Sequence, residues 1–117
     1  MTDFFSKPSS YKGVKKFYYS QPLLTEDEAE RMTEYLKQNT NKIDETITSI
    51  WYSNHSGKIY FEGEYKNIYY DLVYRVGNNE IDLSIHQRPQ GTFEISVKED
   101  IIPLIKRLIK ITKEEIN

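Results

Sequence analysis

The chain has no cysteine and only two histidines, His55 and His86. The first absence removes disulfides, thiolate nucleophiles and zinc–thiolate sites together. The second leaves little imidazole for general-base chemistry or metal binding. No apolar run approaches the roughly 20 residues that a spanning helix needs. The opening residues, Met1-Thr2-Asp3-Phe4-Phe5-Ser6-Lys7-Pro8, lack the charged and apolar regions of a secretory signal. The expected location is the cytoplasm of a bacterial host. A formal net charge of −2 does not describe a polycation seeking nucleic acid. None of the five glycines belongs to a phosphate-cradling G-x-G-x-x-G or G-x-x-x-x-G-K-[ST] loop. No cofactor and no metal is expected.

What is present describes a folded domain. Hydrophobic residues make up 38% and charged residues 29% of 117 positions, a balance that supports a core. A chain of this length forms one domain, here residues 1–117, and buries about two-thirds of its unfolded surface. Residues 1–12 are the part expected to be loosely ordered. Isoleucine, lysine, tyrosine and asparagine are abundant; their codons are AT-rich, which points to a low-GC bacterium or its phage. Charge is unevenly spread: residues 1–24 carry four lysines against one aspartate, and residues 25–54 carry seven acids against three bases.

Two helices are expected, one on each side of a block of strands. Thr25 followed by Glu28 is a capping box, with Leu24 and Ala29 as a hydrophobic staple. Ala29, Met32 and Leu36 then form one apolar stripe, ending near residues 39–41. The last helix starts after Asp100 with Pro103 in its first turn. Ile101, Leu104, Ile105, Leu108, Ile109 and Ile111 give it a broad apolar face, and Lys106, Arg107, Lys110 and Lys113 fill the rest.

Between the helices the period changes to two. Ile68, Tyr70, Leu72, Tyr74 and Val76 alternate with polar or smaller residues; so do Ile81, Leu83 and Ile85, and then Phe93, Ile95 and Val97. A two-residue turn at Gly77-Asn78, with positive φ at both, pairs Tyr74 with Ile81 and Arg75 with Glu80. A type I turn over Arg88-Pro89-Gln90-Gly91 pairs Ile85 with Ile95 and makes residues 92–98 an edge strand. Asn54-His55-Ser56-Gly57 reads as a bulged turn that pairs Trp51 with Phe61 and buries Trp51. The alternative register buries Ile50 and Tyr52 instead; the bulged one is preferred because the indole is the larger apolar group. Lys66-Asn67 closes the next hairpin and sets Gly63 beside Tyr70. The expected fold is α+β and two-layered: a five-stranded antiparallel meander sheet with N- and C-terminal helices packed on one face (α-β5-α). Residues 14–19 supply a possible extra N-terminal strand.

Few residues carry chemistry. His86, expected on the outer face near Glu94 and Tyr69, could be a base oriented by a carboxylate, but no nucleophile or oxyanion site accompanies it. A solvated histidine is the simpler reading. Glu62, Glu64, Asp71 and Asp82 are expected on the same face without the ordered spacing of a calcium loop, as a solvated strand face would be. In Tyr11-Lys12-Gly13-Val14-Lys15-Lys16-Phe17-Tyr18-Tyr19 lysines mix with aromatics, a pattern suited to single-stranded nucleic acid, to an acidic protein or to a lysine-blunted edge strand.

The expected function is therefore non-enzymatic protein binding. A small inhibitor, immunity or accessory protein of a low-GC bacterium or its phage, with a possible anti-defence or anti-CRISPR-like role, would act by occupying a partner's surface. Tyr52, Tyr60, Tyr69, Arg75 and His86 are the expected contact residues on an uncovered sheet face. A nucleic-acid-binding accessory protein using Lys12, Lys15, Lys16, Tyr18 and Tyr19 is one alternative. A homodimeric regulatory domain is another.

Overall fold

A computed structural model describes residues 23–95 and 101–117. The element order is α1 (Glu26–Gln38), α2 (Thr40–Ile43), β1 (Ile47–Ser53), β2 (Lys58–Tyr65), β3 (Ile68–Arg75), β4 (Glu80–Ile85), β5 (Arg88–Glu94) and α3 (Ile101–Ile116). The strands form one antiparallel sheet in the order β1-β2-β3-β4-β5, each pairing with its sequence neighbour. The helices share one side of it, so the fold is the expected α+β meander. The expected strand over residues 14–19 and the cap at Asp100 lie outside the described residues.

Both ends of α1 have side-chain explanations. The Glu28 N–H donates to Thr25 Oγ1 at 3.1 Å and the Thr25 N–H donates to Glu28 Oε1 at 2.9 Å, closing the capping box. At the far end Asn39 Nδ2 donates to the Tyr35 carbonyl at 2.7 Å, and Thr40 Oγ1 to the Lys37 carbonyl at 2.9 Å. These side chains satisfy the orphan carbonyls of the last turn, and the chain restarts as the short α2.

The core lies between the helices and the inner face of the sheet. Ile50, Ile59, Phe61, Tyr70, Leu72, Tyr74, Ile81, Leu83 and Phe93 are buried against Ala29, Leu36, Ile43, Leu104, Ile105, Leu108 and Ile109. Three polar links tie the layers. Tyr70 Oη and Thr46 Oγ1 are 2.6 Å apart, Thr46 Oγ1 donates to Asp44 Oδ2 at 2.6 Å, and Lys113 Nζ reaches Asp44 Oδ1 at 3.0 Å. Lys66 Nζ also donates to Asn117 Oδ1. The centre of the sheet, the α2–β1 corner and the end of α3 are thereby joined.

Three turns depart from expectation. In the first hairpin Ile50 pairs with Phe61, Trp51 with Tyr60, and Tyr52 with Ile59. The four-residue loop 54–57 closes through the Gly57 N–H on the Ser53 carbonyl at 2.8 Å, with Gly57 at φ +68°. Ile50 and Tyr52 therefore face inward and Trp51 outward. Size misled the expectation: the indole buries one face on Tyr60 while its edge stays wet, and isoleucine has no such option. A bulge between Ile47 and Ser49 returns Ile47 to the core side.

The β3–β4 register is as expected, with Tyr74 opposite Ile81 and Arg75 opposite Glu80. The turn differs: positive φ falls on Asn79 at 53°, not on Gly77 or Asn78. Val76 leaves the ladder to donate its N–H to the Gly57 carbonyl at 3.1 Å. Asn79 is buried, accepts from Tyr74 Oη at 3.0 Å, and its carbonyl takes the Ile95 N–H at 2.9 Å. Those three partners hold the loop in a wider form than a two-residue turn.

The β4–β5 turn sits at His86-Gln87, with φ of 57° and 64°, and pairs Ile85 with Arg88. The edge strand expected over residues 92–98 starts earlier, at Arg88, and is described as Arg88–Glu94; residues 96–98 lie outside the described residues. Glycine was the wrong signal: histidine also enters the left-handed region, and the His86 N–H is held on the Tyr69 carbonyl at 2.8 Å. Pro89 then lies in an edge strand, where a missing N–H costs little. A bulge between Leu83 and Ser84 restores the parity, so Phe93 and Ile95 still face inward.

Candidate functional site

The ladder arranges the side of the sheet opposite the helices in rows. One row runs Trp51, Tyr60, Val73, Asp82, Thr92; its neighbours run Ser49, Glu62, Asp71, Ser84 and Ser53, Lys58, Arg75, Glu80, Glu94. Tyr69 stands opposite Glu64 at one end. At the β1 edge Trp51 and Tyr60 stack, with ring centroids 4.1 Å apart and planes 5° from parallel. Trp51 keeps 39% of its surface exposed, high for an indole.

The centre of the face is a polar network. Arg75 Nη2 donates to Glu80 Oε1 at 2.8 Å and to Asp82 Oδ1 at 3.2 Å, and its Nε lies 3.0 Å from Asp82 Oδ2 in an ion-pair contact not aligned as a hydrogen bond. Thr92 Oγ1 donates to Asp82 Oδ1 at 2.7 Å. Tyr69 Oη donates to Asp71 Oδ2 at 3.1 Å and, more weakly, to Glu62 Oε2 at 3.4 Å.

Carboxylates outnumber cations here, and the electrostatics follow. Burial, then the charges of Asp71 and Glu62, push the Tyr69 phenol far above its ordinary range. Burial also raises Asp71, with the Glu62 and Asp82 charges adding to it and the Tyr69 hydrogen bond opposing it. At the β4–β5 end Glu80 and Glu94 face each other and are 8% and 6% exposed. The accessible part of the face is thus the Trp51–Tyr60–Val73 row with its acidic neighbours.

Of the five expected contact residues, the structure brings Tyr60, Tyr69 and Arg75 onto this face. Tyr52 is corrected to the inner face, half-buried beside Ile59; burial and the nearby Glu26 and Glu30 charges raise its phenol. His86 is corrected to the exposed β4–β5 turn, not the strand, and so is not paired with Glu94. Lys12, Lys15, Lys16, Tyr18 and Tyr19 lie outside the described residues. Trp51 was missed, because its face depends on a turn that the alternation of β1 alone does not decide.

Among the described residues no group of three His, Asp or Glu side chains is placed to hold a metal ion. No described helix is long and apolar enough to cross a membrane. Compared with protein-family models, with curated proteins and with solved structures, the chain matches none.

Proposed function

We propose that the protein acts by occupying a basic surface of another protein, with the outer side of the sheet as its contact face. One observation carries this reading: Trp51, exposed and stacked on Tyr60, stands in a face where carboxylates outnumber cations. Tryptophan, tyrosine and arginine are the residues that anchor interfaces, because they bury large rigid area at small entropic cost. Glu62, Glu64, Asp71 and Asp82 around them favour lysines and arginines on the partner and disfavour acidic surfaces. Arg75, held by two carboxylates, stiffens the centre. The contact set is Trp51, Tyr60, Tyr69 and Arg75. Such a domain suits an inhibitor, immunity or accessory role in a low-GC bacterium or its phage, and needs no chemistry of its own.

The test is quantitative cross-linking in the source cell with the wild-type chain and with a Trp51→Ser/Tyr60→Ser variant. The expected result is a basic protein captured by the first and at least about tenfold less by the second, matching the weight of paired aromatic anchors. Capture that is unchanged in the variant, or a partner with an acidic contact surface, overturns the reading.

A further inference from the structure

We propose that the groove between α1–α2 and α3, on the opposite side of the molecule, binds single-stranded nucleic acid. Lys42, Lys106 and Lys110 would meet its phosphates and Tyr35 would stack on a base. The inference is independent of the protein-binding face.

The apolar face of α3 is spent on the core, where Leu104, Ile105, Leu108 and Ile109 are buried. Its cations are therefore turned outward, and Lys106, Arg107 and Lys110 are exposed. The short α2 places Lys42 across from them. Tyr35, in the last turn of α1, is 46% exposed. A concave surface lined by Tyr35, Lys42, Ile102, Pro103, Lys106 and Arg107 continues through Lys106 and Arg107 to Lys110, Lys113 and one acid, Asp44. Lys113 is committed to Asp44. Among the described residues no ion pair engages Lys42, Lys106 or Lys110.

A row of like charges along a groove raises the local potential and draws a linear polyanion. The ring at one end selects among polyanions. Bases offer a π-face for stacking, and phosphate spacing suits successive lysines. An acidic peptide would use the lysines and leave Tyr35 idle. An anionic membrane would need an apolar face to insert, and that of α3 is already buried. The acidic outer sheet face repels phosphate, so the molecule's own field turns α3 toward the strand.

The test is fluorescence anisotropy with a labelled oligo-dT of about 20 nucleotides, titrated with the full chain at about 50 mM salt and above. Binding is expected to weaken with salt with a log–log slope near −2, roughly 0.7 for each of three phosphate contacts. Lys106→Gln/Lys110→Gln should weaken it about tenfold or more and flatten the slope. Tyr35→Ala should weaken it at least about fivefold with the slope unchanged, while Tyr35→Phe binds as the wild type does. Lys58→Gln, on the opposite face, should change nothing, and circular dichroism checks that each variant folds. No binding at low salt overturns the proposal. So does binding that survives Lys106→Gln/Lys110→Gln but is lost with Lys12, Lys15 and Lys16. Binding to phosphatidylglycerol vesicles that depends on the same lysines, without oligonucleotide binding, overturns it in favour of a membrane surface.

Discussion

Tyr70 lies directly across the β2–β3 ladder from Gly63 and closes over it. A Cβ at Gly63 would overlap the Tyr70 ring and stand 2.7 Å from the Thr46 carbonyl oxygen. That carbonyl is itself fixed, because it accepts the Glu64 N–H at 3.1 Å. Gly63→Ala should therefore destabilise the fold by about 2–3 kcal/mol, the scale of overpacking where the neighbours cannot yield. Urea denaturation measures it. Tyr70→Leu should cost stability by itself and remove much of the additional cost of Gly63→Ala, since one of the two obstacles is then gone.

Register in the first hairpin is open to a paired substitution. Ile50→Ala should cost about 2–4 kcal/mol as a core truncation. Trp51→Ala should cost about 1 kcal/mol, the value of an exposed cross-strand aromatic pair. The size-based register, with Trp51 inside, would reverse the order. Thermal or urea melts of the two variants decide between them.

Asp44 carries a pH dependence of known sign. Burial pushes its carboxyl up, but hydrogen bonds from Thr46 and the Lys113 ammonium outweigh this and leave it below the ordinary carboxylate range. A depressed folded-state value means stabilisation that is full above the unfolded value, about 3.9, and is lost as pH falls through the folded one. Asp44→Asn should therefore cost about 1–3 kcal/mol at neutral pH, the scale for breaking a half-buried hydrogen-bonded charge. The difference from wild type should shrink in strongly acidic solution. Denaturation curves over a pH series read this out.

Asp71 has the opposite sign. Its folded-state value is raised, chiefly by burial. The charged form is therefore penalised in the fold above that value, and the penalty vanishes once pH falls below the unfolded one. Asp71→Asn keeps an acceptor for Tyr69 and should stabilise the protein at neutral pH by about 1 kcal/mol or less. The gain should fade as the solution is acidified. A difference that grows on acidification would refute this account.

Features written in local chemistry were legible from the residues. The capping box needs only Thr25 and Glu28, and the Lys66-Asn67 turn only its length, so both stand where expected, with φ of 53° and 65° in the turn. The alternation of β3 and β4 made their pairing readable even though their turn was not. What failed was punctuation decided by partners distant in sequence. His86-Gln87 turns because Tyr69 receives its N–H, and Asn79 enters the left-handed region with Tyr74 and Ile95 attached. The outer face was legible at Tyr60, Tyr69 and Arg75, which alternate with unmistakable core residues. It was not legible at Trp51 and Tyr52, where one unread turn exchanges the two sides of the strand. The basic groove was hidden for another reason: Tyr35, Lys42 and Lys106 belong to three helices and meet only in the folded chain.

The meander has a consequence for how the chain reaches this state. Every ladder joins strands adjacent in sequence through short loops, so the sheet can zip hairpin by hairpin with little closure entropy at each step. The contact between Lys113 and Asp44 spans 69 residues. It forms only once α3 is docked beside the α2–β1 corner, and its long loop closure favours a late docking of α3. Stopped-flow refolding should show substitutions in α3 acting mainly on the unfolding rate, and substitutions in the central hairpin acting on the folding rate. A nascent chain emerging N-terminus first would leave open the part of the sheet's inner face that α1 and α2 do not cover until α3 is released, which makes the docking of α3 the step that closes this aggregation-prone surface.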